Sequence, residues 1–362
     1  MRTPTLRIIR QLRGAPLDFA RWFDSNGITV RTIGQRESGK SNVLELLCLM
    51  ALRRGSAVMD LASSRDSEAM AVLLGPFPEK VRLIVSDSCT MTSDKARLHT
   101  VPIGQFALPE DGLWYVLPRS GFPNEASYLR AMKKIIENLW DSDEWTKPRW
   151  LMFREAQIFL TSMSRTTGSR AQRESSDTLQ QLNTEARHHG VSLAIDSQRE
   201  IEVSRSLRQV SDVLIIKRLG TWIDFPDDVR FVLADVEPEA FRYCPLDKAY
   251  IITSMGQLAF VDVGLVPFHH RRGTSVLSML GIKVSFDNAG EISEAPTRTL
   301  EGDARVVVGP EVHHEIVRLR EVEVCSFDDI ALRLGLAAST VKAHYKRHIF
   351  NIGKGLPCPG CQ

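Results

Sequence analysis

The stretch ITVRTIGQRESGKSNVLELL, Ile28 to Leu47, joins a run with strand chemistry to a run with helix chemistry through Gly34, Gly39, Lys40 and Ser41. Ile28, Val30 and Thr32 alternate with polar or small partners, as a strand requires. Asn42 to Ala51 contains neither Gly nor Pro, as a helix requires. The spacing of Gly34, Gly39, Lys40 and Ser41 follows the pattern GxxxxGK[ST]. In such a turn the glycines let backbone N–H groups face inward around phosphates, and the helix N-terminus adds partial positive charge. The lysine reaches the terminal phosphates and the serine hydroxyl can ligate Mg²⁺. The expected phosphate-binding segment is therefore Gly34, Gln35, Arg36, Glu37, Ser38, Gly39, Lys40, Ser41 and Asn42.

The bulk properties narrow the field around this loop. A chain of 362 residues can bury one large domain and a small one. Its formal charge of +2 is nearly balanced, so affinity for nucleic acid has to come from local basic patches. Cys48, Cys89, Cys244 and Cys325 are scattered, and only Cys358 and Cys361 sit close together. With no charged-then-apolar signal segment at the start, a reducing cytoplasm is the expected compartment. The most apolar stretch, Val43 to Leu52, has about half the length that crosses a bilayer, so a buried helix is expected and no membrane partner.

A nucleotide site of this type needs an acidic group at the end of a second buried strand. PRWLMFREAQIFL offers Trp150 to Phe153 as that strand, followed by Arg154 and Glu155, and Glu155 sits where a carboxylate could polarise an attacking water. A third apolar strand, Val191 to Ile195, ends in Asp196, Ser197 and Gln198, and VSDVLIIKRLG supplies a fourth. Strands separated by helical segments imply a mostly parallel sheet with helices on both faces and ligands outside the carboxyl ends of the strands.

The series GxxxxGKS, a strand ending in Glu-Ala-Gln, then ARHHGVSLAIDSQRE and SDVLIIKRLG resembles the HerA/FtsK superfamily of ATPases. The likeness runs from about Ile28 to Arg272 and includes AVMDLASSRD, Ala57 to Asp66, similar to that family's strand-plus-Asp after the first helix. The resemblance implies a P-loop NTPase fold of the RecA-like α/β class, with ATP and Mg²⁺ as cofactors. It assigns Lys40 to the nucleotide-binding loop, Ser41 to the loop and the metal, Glu155 to the catalytic carboxylate, Gln198 to the polar sensor, and Arg187 to an arginine acting on a neighbouring subunit's nucleotide. It also implies a homo-oligomer, a six-membered ring around double-stranded DNA.

This chain departs from the family at one position. The metal-side Asp before the catalytic Glu is Arg154 here, and a guanidinium beside Mg²⁺ would repel it by several kcal/mol at intermediate dielectric. Two arrangements are open: Asp196 supplies the missing charge as a second metal ligand beside Ser41, or Arg154 and Asp196 pair as a buried salt bridge. Downstream, SMSRTTGSRAQRESS carries Arg165, Arg170 and Arg173 and is read either as a pore loop on DNA phosphates or as a solvated surface loop.

The expected organisation is a basic N-terminal arm at 1–25, the ATPase domain at 26–272, a linker at 273–309 with room for a short hairpin, and a small all-α domain at 310–362. In the last, Ser326 caps FDDIALRL, Gly335 breaks that helix, and ASTVKAHYKRHI resumes helical spacing, the layout of a helix-turn-helix. The phrase DIALRLGLAASTVKAHYKRH is similar to the helix-turn-helix of LuxR-type and sigma-factor regulators. Ala337 stands where a capping Ser is usual. That likeness implies a core of Ile330, Leu334, Leu336 and Val341, and a DNA face of Ser339, Thr340, Lys342, Lys346 and Arg347. The alternative is a helical protein-docking module. Cys358 and Cys361 have the spacing of half a zinc knuckle but lack two further ligands, so no metal is expected there, and the His188–His189 and His269–His270 pairs read as surface or helix-end residues rather than ligands.

Three functions follow as expectations. The first is an ATP-driven DNA translocase or packaging-type motor. The second is a nucleotide-gated DNA-binding regulator with weak or absent hydrolysis, and the third is an assembly ATPase that does not touch nucleic acid.

Overall fold

The computed structural model describes residues 4–24, 27–62, 66–142, 145–154, 185–197, 211–220, 236–268, 276–287, 310–321 and 327–334, with 340–342, 345 and 348. In its first part the elements are β1 (Leu6–Arg13), α1 (Arg21–Asp24), β2 (Thr29–Ile33), α2 (Lys40–Arg53), β3 (Val58–Ala62), α3 (Asp66–Ala69), β4 (Val81–Val85), β5 (Cys89–Ser93), β6 (Thr100–Pro102) and β7 (Trp114–Val116). Then come α4 (Glu125–Trp140), β8 (Arg149–Phe153), β9 (Val191–Ser197), β10 (Val213–Ile216), β11 (Lys248–Thr253), β12 (Leu258–Val263) and β13 (Ile282–Phe286).

Among the described residues, eleven strands form one sheet in the order β1-β12-β11-β10-β2-β9-β8-β3-β7-β4-β6. From β10 to β6 every neighbouring pair is parallel, while β11, β12 and β1 add an antiparallel wing. The central parallel strands β2, β8 and β9 are buried on both faces, which is why TVRTI, RWLMF and VSLAIDS are rich in β-branched and apolar residues. The chain leaves β2 through α2 for β3, with β9 and β8 lying between them, and β10 pairs on the opposite side of β2. The carboxyl end of β2 is thus a point where strand order reverses, the position at which open α/β sheets hold ligands.

Alternation divides the core in two. Val30, Val58, Trp150, Met152, Ala194, Val213 and Ile215 meet Val43, Leu44, Leu46 and Leu47 of α2 on one face. Met59, Leu61, Leu151, Phe153, Leu193 and Ile195 meet Tyr128, Met132, Ile135 and Leu139 of α4 on the other. Each such side chain contributes roughly 1.5–3 kcal/mol on full burial. An Asn124–Ser127 capping box starts α4, with Ser127 N–H donating to Asn124 Oδ1 at 2.9 Å, and Tyr128 ties the helix to β3 by donating to Leu61 O at 2.7 Å. Extending the alternation one step past the apolar residues puts Thr32, Asp60, Arg154, Asp196 and Lys217 on the α2 side at the carboxyl ends of five strands.

The chain divides into two compact units, Met1–Gly290 and Glu291–Gln362. This differs from the boundaries read from the sequence at both ends of the first unit. The expected basic arm, 1–25, holds β1, which runs antiparallel to β12 as a sheet edge. The expected linker, 273–309, begins with the helix Val276–Leu280 and β13, and β13 pairs with β5 rather than forming a local hairpin. Neither pairing has a local signal, because each partner lies far along the chain. In the second unit the helices Pro310–Glu321 and Phe327–Leu334 bury Ile316, Leu319, Ile330 and Ala331 together with Val341.

Candidate nucleotide site

Between β2 and α2 the loop turns back on itself. Glu37 sits at φ 62°, a left-handed conformation uncommon for a side-chain-bearing residue. Gly39 caps α2 at φ 85° and ψ 25°. A Cβ at Gly34 would fall 2.5 Å from Ser38 Oγ and 2.9 Å from Lys217 Cβ, so only glycine lets the loop close this tightly. The first turn of α2 carries no acidic residue, leaving the positive end of its dipole uncompensated.

Lys40 opens the helix, buried, with its ammonium donating to Gln35 O across the loop at 2.9 Å. Ser41 follows, half-buried. Two hydroxyls at this end of β2, Thr32 Oγ1 and Ser38 Oγ, are buried without a hydrogen-bond partner among the described residues. Orphaned hydroxyls beside a helix N-terminus are what a bound oxyanion with coordinated water would satisfy, so the loop fits a magnesium-bound polyphosphate. Asn42 differs from its expected role. Its Nδ2 donates to Gly264 O at 3.0 Å and its Oδ1 accepts from Val266 N at 2.9 Å, so it anchors α2 to the segment after β12.

Arg154 is paired differently from either sequence expectation. It donates from Nη1 to Glu45 Oε1 at 2.8 Å and from Nη2 to Asp60 Oδ2 at 3.0 Å, with all three side chains within 2% of complete burial. Burial alone would pull the guanidinium toward neutrality, but Asp60 and Glu45 more than offset it and hold the charge firmly. For Asp60 burial is the larger influence, pushing its carboxyl up to about 6 while Arg154 opposes the shift. One cation between two carboxylates leaves a net negative cluster at neutral pH, so the repulsion expected of Arg154 toward Mg²⁺ is cancelled within the protein.

Asp196 is buried and lies in register with Thr32 of β2, so β9 runs directly beside the loop strand. Its register places it between Thr32 and the Arg154 end of β8. Ser41 and Asp196 both carry oxygens of the kind Mg²⁺ takes.

The rear wall of the loop comes from residues that sequence reading passed over. Gln35 N–H donates to Arg218 O and Lys217 N–H to Ile33 O, each at 2.9 Å, so the end of β10 is fastened to the loop. Lys217 is fully buried, and its ammonium donates to Leu246 O at 2.6 Å and Lys248 O at 2.7 Å. Its Nζ lies 3.7 Å and Leu246 O 3.5 Å from where a Cβ on Gly39 would be. Burial lowers the ammonium to about 8 against the neighbouring Cys244 and Asp247, which raise it, and Arg218, which lowers it further. A lysine closing an apolar strand, VLIIK, is a signal of a buried cation, but only the fold shows what it faces.

Arg187 sits before β9, exposed, and pairs with Asp212, whose other oxygen accepts from Thr29 N–H at 2.8 Å. Thr29 begins β2, so Arg187 lies at the opposite end of the strands from Lys40. Glu155, Gln198, Arg165, Arg170 and Arg173 lie outside the described residues, as do Ser339, Lys346, Arg347, Leu336 and the two C-terminal cysteines. In the second unit Lys342 is exposed with its ammonium 6.0 Å from the Phe327 ring centroid, and Thr340 is half-buried. His348 is buried 5.6 Å from the His313 ring. Among the described residues no cluster of His, Cys, Asp and Glu could hold a metal by itself, and no helix is long and apolar enough to cross a membrane.

A strand, a glycine loop and a helix at the reversal point of a parallel sheet define a phosphate-loop α/β fold. No protein family profile matches the chain, and no curated protein matches it in sequence. Among solved structures it is similar to the genome packaging NTPase B204 from Sulfolobus turreted icosahedral virus 2 in complex with sulfate, 12% identical at a TM-score of 0.40 over 67% of this chain and 98% of that one. The pCW3 conjugation coupling protein TcpA, in its monomer form with ATPγS, matches at 13% identity and a TM-score of 0.40 over 67% of this chain and 61% of that one. EccC ATPases 2 and 3 from Thermomonospora curvata match at 14% and 0.37, over 73% and 40%. At these scores the likenesses carry no residue roles across.

Proposed function

We propose that this chain is an ATP-hydrolysing DNA motor of the translocase or packaging type. The observation that supports it most is the loop itself: glycine-only closure at Gly34, an uncompensated helix N-terminus, and buried hydroxyls at Thr32 and Ser38 without partners among the described residues. Lys40 and the loop amides bind and orient the triphosphate and stabilise charge on the transferred group. Magnesium, when held by Ser41 and Asp196, neutralises the phosphate oxygens. Glu155 takes the proton of the attacking water, and Gln198 senses the terminal phosphate. Arg187, at the far end of the strands, acts on the nucleotide of an adjacent copy in a six-membered ring. Arg165, Arg170 and Arg173 touch phosphates in its pore, and the C-terminal unit holds duplex through Ser339, Thr340, Lys342, Lys346 and Arg347.

One observation favours the regulator: Arg154, at the metal-side position, is held by Glu45 and Asp60 and contributes no carboxylate to a metal. DNA-stimulated hydrolysis separates the two readings. The parent chain should turn over ATP faster when duplex is added, Lys40→Ala should weaken ATP uptake by roughly tenfold or more, about 1.4 kcal/mol, and Glu155→Gln should bind without turnover. Saturable binding with no hydrolysis at any DNA concentration would establish the regulator instead.

A further inference from the structure

We infer that the turn between Arg242 and Lys248 is the nucleobase platform of the site, with Tyr243 and Leu246 as its apolar contacts. This rests on the nucleotide reading above and adds the part of the ligand that the phosphate loop does not touch. Three observations converge. The turn lies against the loop, with Leu246 O 3.5 Å from the position of a Cβ on Gly39. It is also fastened from several sides. Lys217 donates to Leu246 O and Lys248 O, and Arg218 Nε donates to Cys244 O at 2.9 Å. Tyr243 N–H donates to Glu239 O at 3.0 Å and Val263 N–H to Asp247 O at 2.7 Å. Yet this rigid turn leaves Tyr243 77% and Leu246 53% exposed.

A single exposed apolar residue needs no explanation. Two on one short turn, held by a buried ammonium that also faces the phosphate loop, do. The anchoring removes the entropy that a mobile loop would lose on engaging a ligand, and an aromatic face accepts any base by stacking. The platform requires that a nucleoside triphosphate whose phosphates enter the loop set its base on this turn, while an inorganic polyphosphate has nothing to place there. The same wall therefore separates the two ligands.

The test compares ATP with inorganic tripolyphosphate, both with magnesium, on the full chain by calorimetric titration. Tyr243→Ala and Leu246→Ser should weaken ATP by roughly tenfold and leave tripolyphosphate unchanged, while Tyr243→Phe keeps ATP at parental affinity. The platform is overturned if ATP affinity holds in both variants, or if the two ligands weaken together. It is equally overturned if Tyr243→Ala shifts only the oligomeric state in sedimentation, since the turn then seats a second copy of the chain. Absence of binding of either ligand to the parent would instead remove the phosphate-loop reading on which the platform stands.

Discussion

Arg154 occupies a position read from the sequence as metal-side, and its charge is paired inside the protein. In sequence it reads as a cation placed where magnesium needs a carboxylate. In the fold its charge is consumed by Glu45 of α2 and Asp60 of β3, residues 109 and 94 positions away. Removing one partner from a buried ionic cluster leaves uncompensated charge. Arg154→Met should therefore lower stability by about 3–5 kcal/mol in urea unfolding. Arg154→Asp should be worse, since three carboxylates would then share one dry space. Replacing all three members with apolar residues should recover most of the loss. Lys40 and Ser41 were legible from spacing alone, because their chemistry depends on a local turn. The partners of Arg154 were not, because no local pattern brings α2 and β3 to the end of β8.

At the scale of elements, the loop is a layered assembly: β2 and α2 form it, and β10 with the turn before β11 backs it. Lys217 is the pin between those two backing pieces, and its titration gives two effects of opposite sign. Its value is lowered from 10.5 to about 8 in the fold. Between those pH values the unfolded chain binds the extra proton, so folding stability should rise with pH across that window, by about 3 kcal/mol at most. Over the same interval the loop loses a cation, so affinity for tripolyphosphate should fall as pH passes through about 8. Calorimetric titration and denaturant unfolding in parallel from neutral to alkaline pH check both, and Lys217→Met should flatten both curves. The strands Trp150–Phe153 and Val191–Ile195 were legible as apolar runs bounded by polar residues. The antiparallel wing was not, since β11 and β12 alternate like any surface hairpin and only their pairing to β10 makes them part of the wall.

At the scale of the molecule, two compact units divide the work proposed for the chain. A chain ending at Gly290 should keep the parent's ATP affinity, because every described residue of the loop and its wall lies in the first unit. It should lose duplex affinity, and its salt slope should shrink by about 0.9 for each phosphate contact removed. Fluorescence anisotropy with labelled duplex over a salt series measures this. Unchanged DNA binding would move the DNA contacts into the first unit. The sequence by itself determined the glycine loop between strand and helix and the strands at Trp150–Phe153, Val191–Ile195 and Val213–Ile216, since these depend on spacing within a few residues. Tertiary structure alone decided that β1 closes a sheet edge, that β13 pairs with β5, that Arg154 is neutralised and that Lys217 backs the loop. Each of these joins residues far apart in the chain, and burial of charge and apolar surface, rather than local propensity, selects the partner.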